Sequence, residues 1–317
     1  MGDYLKKVKT IDFRIDKLYN KETRKEKEER IMVTIKNDNL EVTISELGAQ
    51  LQSVKNKETE FLWNGDENVW SERAPVLFPV CGGLKDDKFV YNNKEYTLAK
   101  HGFAKDMEFC VVEVKESTAT FMLSSNEETK KSYPFDFNLY IKYELKASEL
   151  EVTYNVENTG NGEMLFSIGA HEGYYCPEGI EEYYLEFENN ETLYHYPVTE
   201  NGIDNNIKEL FLDNSNIIEL KYDYFDIDAL IFKNVKSKKV SLIHKGGKRK
   251  ITLDFSGFSY FLVWTAPKKY AKYVCLEPWN GFPDTVGSNG ILSDKEGINR
   301  IEANGSFEIV HKISFEG

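Results

Sequence analysis

Two histidines in this sequence lie where a strand-rich pattern breaks. His171 lies in SIGAHEGYYC, after an apolar run and between Gly169 and Gly173, and His101 lies in KHGFAKDMEF directly before Gly102. Small residues beside a polar residue allow a backbone or a ligand to approach closely. The residues alone leave two interpretations open for each histidine: a packed side chain at a strand end, or a group that moves a proton.

One carboxylate is distinguished by its context, since the chain has 53 acidic residues and type alone selects none of them. Glu277, in YVCLEPWNGFPD, follows an apolar run and precedes Pro278 and Trp279. A carboxylate that ends a buried strand beside an indole is expected to have a raised pKa, which suits a general base. The alternative is a structural ion pair. Asp228, in FDIDALIF, either caps a strand or holds a ligand hydroxyl.

The other three histidines fit structural roles. His244 precedes a Lys-Gly-Gly turn in an alternating run, and His311 lies in the last alternating run. We therefore expect both side chains to be exposed or at a sheet edge. His195 lies among aromatic residues in LYHYPVT, which favours packing.

Composition excludes several classes of function. The formal charge of −13 and the pI near 5.1 argue against nucleic-acid or membrane partners, which select for clustered Lys and Arg. Nucleotide-binding, zinc-helix and serine-nucleophile motifs are absent, and histidines and cysteines do not cluster at metal-ligand spacing, so no metal is expected. No signal peptide or bilayer-length apolar stretch is present, which predicts a cytoplasmic protein with reduced thiols. The four cysteines are Cys81, Cys110, Cys176 and Cys275.

The elements that must position these residues are mostly strands. From Met32 onward, runs rich in Val, Ile, Tyr, Phe and Thr alternate with polar residues around short turns such as Asn92-Asn93 and Gly246-Gly247. A single helical turn is expected within ENVWSERAPVLF, ending at Pro75. No linker or internal repeat divides this region. The pattern predicts an all-β fold: one large antiparallel β-sandwich domain over residues 32–317.

Residues 1–31 form a separate N-terminal extension in this prediction. Apolar residues recur there at spacings of three and four, which is typical of a helix, while alternation around Phe13 leaves a strand as the competing interpretation. We expect a helical appendage that packs on the main domain. The residues of the helical stripe are Tyr4, Val8, Ile11, Ile15 and Leu18.

Several stretches together resemble the aldose 1-epimerase (galactose mutarotase) family, in its LacX-like branch. Their order and spacing, over almost the whole chain from Met32, carry the resemblance. The stretches are ELGAQLQSV (46–54), FLWNGDENVWSERAPVLFPVCGG (61–83), YTLAKHGFAKD (96–106), SIGAHEGYYCP (167–177), DALIF (228–232) and CLEPWNGFPD (275–284). The resemblance implies a two-layered β supersandwich with a sugar cleft. It also implies interconversion of the α and β anomers of an aldohexose without metal or organic cofactor.

The resemblance also implies roles for individual residues. Glu277 corresponds to a general base and His171 to a general acid on the ring oxygen, while His101 corresponds to a second histidine that helps to hold the sugar. The remaining residues implied to bind or line the sugar cleft are Asp228, Arg73, Lys105 and Trp279. Ring opening takes a proton from one oxygen and gives a proton to another, so two positioned groups are required.

Two positions depart from the family pattern. Lys105 stands in HGFAK where the family usually has arginine, and Gly83 stands where arginine is frequent. Lysine keeps the charge but lacks the planar fork that matches phosphate. Both changes favour a free sugar over a sugar phosphate, although Lys85 offers partial compensation. A hexose-phosphate mutarotase and a non-catalytic sugar-binding protein remain alternatives.

The surroundings of His171 give two further expectations. Gly169 and Gly173 are expected to let a sugar come close to the imidazole. The side chain of Glu172 is expected to point to the opposite face, because successive side chains alternate in an extended chain.

Overall fold

The computed structural model describes residues 31–57, 59–199, 202–247 and 249–317. Residues Ile31–Gly317 form a compact unit. The helical stripe predicted in the N-terminal extension lies outside the described residues, so the division into an extension and a domain stays a prediction.

The strands follow the alternation of the sequence. In the hairpin Phe137–Lys146 and Glu149–Asn158, every second side chain is buried, and the chain turns through Ala147 at φ 53°. The predicted Asn92-Asn93 turn joins two paired strands, with both residues at positive φ, as short hairpin turns require. The chain turns at residues 67–69, before Pro75, where one helical turn was predicted, but this turn is not helical.

The described residues contain the following strands, all paired antiparallel: β1 (Met32–Lys36), β2 (Glu41–Ser45), β3 (Leu51–Asn56), β4 (Thr59–Glu60), β5 (Lys88–Tyr91), β6 (Lys94–Thr97), β7 (Cys110–Val114), β8 (Thr118–Ser124), β9 (Phe137–Lys146), β10 (Glu149–Asn158), β11 (Met164–Phe166), β12 (Ile168–Gly169), β13 (Glu172–Tyr175), β14 (Tyr183–His195), β15 (Val198–Thr199), β16 (Gly202–Ile203), β17 (Glu209–Glu219), β18 (Leu230–Lys233), β19 (Lys239–His244), β20 (Lys250–Asp254), β21 (Tyr260–Trp264), β22 (Tyr273–Asn280), β23 (Asn299–Ile301) and β24 (Ser306–Glu316). Helical structure in the described residues is limited to one α-helical turn, α1 (Thr129–Ser132), and the 3₁₀ turns Lys85–Asp87, Ala104–Asp106, Ile180–Glu182, Tyr222–Phe225 and Leu292–Asp294.

One 14-stranded sheet dominates the fold. Its order is β12-β22-β21-β18-β14-β19-β20-β24-β10-β9-β8-β7, with β13 also paired to β22 and β17 to β14. Strands β1 to β4 form a second sheet, and three two-stranded sheets complete the described part. A buried apolar core contains side chains from both larger sheets.

The large sheet curls until distant strands face each other. Five strands separate β22 from β24 in the sheet order, yet Glu172 of β13, beside β22, contacts His311 of β24, with Oε1 3.0 Å from Nε2. A contact between strands so far apart in the order spans the interior of a sandwich. The all-β antiparallel sandwich is therefore confirmed, and Glu172 faces its interior.

The expectation of exposed or edge positions for His311 and His244 is wrong. His311 is fully buried, and His244 is 8% exposed. Neither β19 nor β24 is an edge strand, because each is paired on both sides, and each histidine lies on a face of its strand that the rest of the fold covers. His244 packs on the Tyr183 ring, with centroids 5.0 Å apart. His195 is half-buried at the end of β14, where its Nδ1 accepts the Ile231 N–H at 3.2 Å.

The Glu172–His311 pair should contribute strongly to stability. We expect Glu172→Ala to lower the free energy of unfolding by about 3–5 kcal/mol, because it leaves a buried imidazole without its partner. Glu172→Gln should cost clearly less, since an amide can still hydrogen-bond to Nε2. Urea denaturation measures both changes.

The matched control is an exposed pair in the same fold. Lys146 is half exposed and pairs with Glu151, so Lys146→Ala should cost less than about 1 kcal/mol. Equal losses for Glu172→Ala and Lys146→Ala would contradict a stabilising role of the interior pair.

Candidate active site

Strand register places His171 opposite Glu277. On one side Gly169 pairs with Trp279, and on the other Glu172 pairs with Leu276. The same register through the gap between β12 and β13 makes His171 the cross-strand neighbour of Glu277. Pro278 has no N–H to give to the ladder, although its carbonyl still accepts the Ala170 N–H at 3.1 Å.

The two side chains meet on one face of the sheet. His171 Nε2 lies 3.3 Å from Glu277 Oε2. Glu277 is 1% exposed and His171 is 8% exposed. Glu277 Oε1 makes no hydrogen bond within the described part of the chain. A carboxylate and an imidazole with so little solvent have few ways to stabilise charge except each other or a ligand.

Burial acts on both groups in the direction of neutrality. It raises the pKa of Glu277 well above its usual value and lowers the pKa of His171 to about 3. Protonation of both groups at once therefore occurs only in acid. A single proton on Glu277 is retained more firmly than it would be on a solvated carboxylate. Because the two groups are in contact, their proton equilibria are coupled, and burial disfavours charge on both of them.

His101 is fixed beside this pair. The backbone N–H of His101 donates to the Gly82 carbonyl at 2.9 Å, and the ring Nδ1 of His101 accepts the Gly82 backbone N–H at 3.2 Å. Burial lowers the pKa of His101 well below its usual value. The ring is therefore neutral and carries its proton on Nε2, which makes Nε2 a hydrogen-bond donor. The His101 ring lies perpendicular to that of His171, with centroids 5.5 Å apart.

Tryptophans rather than a ligand occupy the space beside the two glycines. A Cβ on Gly169 would lie 2.7 Å from the Trp279 indole, and a Cβ on Gly173 would lie 2.8 Å from Trp70. Trp70 in turn lies against the His171 ring, with centroids 5.2 Å apart. The expectation that these glycines admit the sugar is corrected: they allow indoles to pack beside the pair.

A cleft of about 820 Å³ opens above the pair. Among the predicted site residues, it is lined by His101, His171, Asp228, Glu277 and Trp279, and by Gly83 and Lys85 at the positions that depart from or compensate for the family pattern. Sequence reasoning did not single out four other lining residues, because no motif or spacing distinguishes them. These are Trp70, Glu72, Lys100 and Trp264.

Lys100 is the missed residue with the clearest electrostatic effect. It lies directly before His101, and its Nζ is 3.8 Å from Asp228 Oδ2 at the rim of the cleft. Its positive charge opposes the burial effect on Glu277 and adds to the burial effect on His171. The only sequence signal was its position next to His101.

Arg73 and Lys105 do not line the cleft. The Arg73 guanidinium donates to the Gln52 carbonyl, and its carbonyl accepts the Gly173 N–H at 2.8 Å, so it holds the chain beneath the site. Lys105 Nζ lies 3.0 Å from Glu72 and 2.9 Å from Asp106. The structure thus places both side chains in structural contacts instead of at the ligand surface predicted for them.

Solved structures with the same architecture are galactose mutarotase-like. A galactose mutarotase related enzyme from Lactobacillus acidophilus matches with a TM-score of 0.87 and 33% sequence identity, over 90% of this chain and 98% of that chain. A galactose mutarotase-like protein from Lactobacillus casei matches with a TM-score of 0.83 and 30% identity, over 90% and 100%. The fold and the site define a mutarotase-like β-sandwich protein.

Sequence comparison assigns the family. The family model described as aldose 1-epimerase matches residues 32–293. The plasmid protein LacX of Lactococcus lactis subsp. lactis is 32% identical over 283 residues, which cover 85% of this chain and 94% of LacX. The chain belongs to the aldose 1-epimerase family, in its LacX-like branch, and is an isomerase. Within the described residues, no helix is long and apolar enough to cross a membrane.

Glu277→Gln should separate activity from stability. We expect turnover to fall by at least ~10²-fold, because an amide cannot take a proton. We expect the variant to melt at a higher temperature than the wild type, by a margin that grows as pH rises above 4.5 toward the raised pKa of Glu277. The folded pair keeps a proton that the unfolded carboxylate releases above its ordinary pKa of 4.5, so wild-type stability is lost with rising pH relative to glutamine. A margin independent of pH would contradict the raised pKa of Glu277.

Gly173→Ala should disturb the site through Trp70. The added methyl would lie 2.8 Å from the indole, so we expect a loss of about 1–3 kcal/mol in unfolding free energy, a changed tryptophan fluorescence spectrum and reduced turnover. Gly162→Ala is the control, because its Cβ would meet nothing within 4 Å. Full activity and an unchanged spectrum in Gly173→Ala would exclude the packing role.

Proposed function

We propose that this protein interconverts the α and β anomers of a free aldohexose. The observation that carries the proposal is the buried cross-strand pair of Glu277 and His171, with 3.3 Å between carboxylate and imidazole, at the base of the cleft. Mutarotation requires simultaneous proton removal from one sugar oxygen and proton delivery to another, and an adjacent carboxylate and imidazole suit this requirement.

The cycle changes the position of protons without changing their number. With Glu277 ionised and His171 protonated, Glu277 takes the proton of the C1 hydroxyl while His171 gives its proton to the ring oxygen. The C1–O5 bond breaks and the C1–O1 bond becomes a carbonyl, which leaves Glu277 protonated and His171 neutral. After rotation about C1–C2, the same steps in reverse close the ring on the other face of the aldehyde.

The surrounding residues are suited to hold a sugar. The Nε2–H of His101 can donate to a sugar oxygen, and Asp228 at the cleft wall can accept from sugar hydroxyls. Trp279 is 3% exposed and lines the cleft, and its indole N–H donates to the Ala170 carbonyl at 3.1 Å. That hydrogen bond fixes the indole as an apolar wall for the sugar ring.

The charges of the cleft favour a free sugar over a sugar phosphate. Two lysines, Lys85 and Lys100, line the cleft, and Lys100 lies near Asp228. Of the three basic residues that support the phosphate alternative, Arg73 and Lys105 are bound elsewhere, and Lys85 remains in the cleft lining. Of the acidic lining residues, Glu72 is paired with Lys105 and Asp284 with Lys295. Among the described residues no arginine lines the cleft, so a phosphate would lack the planar fork that binds it bidentately.

The cytoplasm is the proposed site of action. All four cysteines are free, and this supports a reducing compartment. The reaction needs neither a redox partner nor a carrier, so soluble sugar is the one partner that the proposal requires.

Polarimetry on freshly dissolved α-D-glucose and α-D-galactose tests the proposal. We expect wild-type protein to accelerate the approach to anomeric equilibrium for at least one of these hexoses. His171→Ala and Glu277→Gln should each reduce the rate by ~10²-fold or more, while Lys85→Ala should leave most of it. Wild-type rates no greater than those of the two site variants would exclude catalysis by this pair.

Three further measurements separate the alternatives: kinetics on the 6-phosphate, calorimetry and NMR. A hexose-phosphate mutarotase would show a higher kcat/KM for the 6-phosphate than for the free sugar, and we expect the reverse. A non-catalytic sugar-binding protein would bind sugar in calorimetry without anomer exchange in NMR. Measurable exchange would exclude this third function.

A further inference from the structure

A thiol that mutarotation does not use lies next to the proton-transfer pair. Cys275 lies two residues before Glu277 in β22 and therefore on the same face, and the same register places it opposite Gly173. Its side chain is fully buried. One ligand atom each of His171, Cys275 and Glu277 lies within 4.8 Å of the other two. The set comes from two paired strands, so no ligand spacing in the sequence revealed it.

These three groups are a donor set for a borderline divalent cation. Zn²⁺ is bound by thiolate, imidazole and carboxylate, with bonds of about 2.0–2.3 Å. A tetrahedral site then needs ligand atoms roughly 3.3–3.8 Å apart. His171 Nε2 and Glu277 Oε2 are already 3.3 Å apart, and no two of the three ligand atoms are more than 4.8 Å apart, so the site closes with shifts of about 1 Å or less. His171 and Glu277 line the cleft, so the fourth coordination position can face solvent.

The electrostatics of the three groups favour the site with a bound cation over the same site without one. Glu277 Oε1 is buried without a hydrogen bond in the described residues, and a metal ion would supply its missing partner. Burial favours the neutral imidazole, the form that ligates metals. A thiolate and a carboxylate together balance the charge of a divalent ion, which offsets the cost of ionising the thiol.

We propose that His171, Cys275 and Glu277 form a binding site for Zn²⁺ and similar thiophilic divalent cations, and that occupation of this site blocks the enzyme. The metal would hold the two groups that must exchange protons with the sugar. The inhibitory part rests on the proposed function, whereas the binding part does not.

Binding is tested with Cd²⁺ as the probe, because a cadmium–thiolate bond absorbs in the ultraviolet. We expect titration of the full chain to give a thiolate charge-transfer band that saturates at one ion per chain. The band should be absent in Cys275→Ser and Cys275→Ala, and apparent affinity should rise with pH, since binding releases the thiol proton and any proton held by the Glu277 carboxyl group. A band that persists in both variants, or no band in wild type, would overturn the proposal.

Two controls keep the result specific. Cys176→Ala removes another buried thiol, whose Sγ donates to the Tyr174 carbonyl, and Cys110→Ser removes the exposed one; both should keep the band. If the Cys275 variants fail to fold, a variant with Cys81, Cys110 and Cys176 all replaced by alanine tests the proposal, because it keeps Cys275 as the one remaining thiol. Its band should equal that of wild type, and loss of the band would overturn the proposal.

Activity forms the second arm. We expect micromolar Zn²⁺ to slow wild-type mutarotation at least tenfold, with recovery on adding a chelator. In Cys275→Ser, the rate with Zn²⁺ should stay close to the rate of the same variant without metal. Inhibition that is equal in wild type and Cys275→Ser would overturn the inhibitory part. A saturated cadmium band with unchanged mutarotation would also overturn it, and would contradict the catalytic role of the Glu277–His171 pair.

Discussion

The site depends on one register of antiparallel pairing, that of β12 and β13 against β22. This register brings His171 and Glu277, more than a hundred positions apart in the chain, into direct opposition. A shift by one residue would turn each side chain to the other face. The apolar faces of β22 are covered on both sides, so the buried pattern fixes the register strongly, and with it the proton-transfer pair.

Two adjacent residues beside β22, His171 and Glu172, belong to two different His–Glu pairs. His171 faces the cleft and meets Glu277, while its neighbour Glu172 faces the interior and meets His311. The interior pair links the strand beside the site to the opposite layer of the sandwich. Each pair leaves one carboxylate oxygen, Glu172 Oε2 or Glu277 Oε1, without a hydrogen bond among the described residues, but only the cleft pair borders an opening that a ligand can enter. A glutamate and a histidine thus stabilise the packing on the interior face. On the cleft face, where a ligand has access, the same two residue types suit acid–base chemistry.

Local rules predicted much of this arrangement. Asparagine-rich turns identified the hairpins, period-two alternation sent Glu172 to the face opposite His171, and the context of Glu277 indicated a raised pKa. Alternation could not show whether the second face of a strand is covered, so His311 was misplaced. Nor could local sequence show that Arg73 reaches the Gln52 carbonyl, or that Trp70 packs against His171. These contacts depend on loops whose paths the sequence pattern does not determine.

The two departures from the family pattern act on the cleft in the same direction. Lys105 is held by Glu72 and Asp106, so its charge is balanced before it could reach a ligand. Gly83 borders the cleft, and a Cβ there would meet nothing within 4 Å. The position has space for a cationic side chain, but glycine has no side chain to place a charge there. In the part of the chain that the structure describes, the Glu277–His171 pair lines the cleft and no guanidinium does. A phosphate would need such a fork, and this combination supports the proposal of a neutral sugar as the ligand.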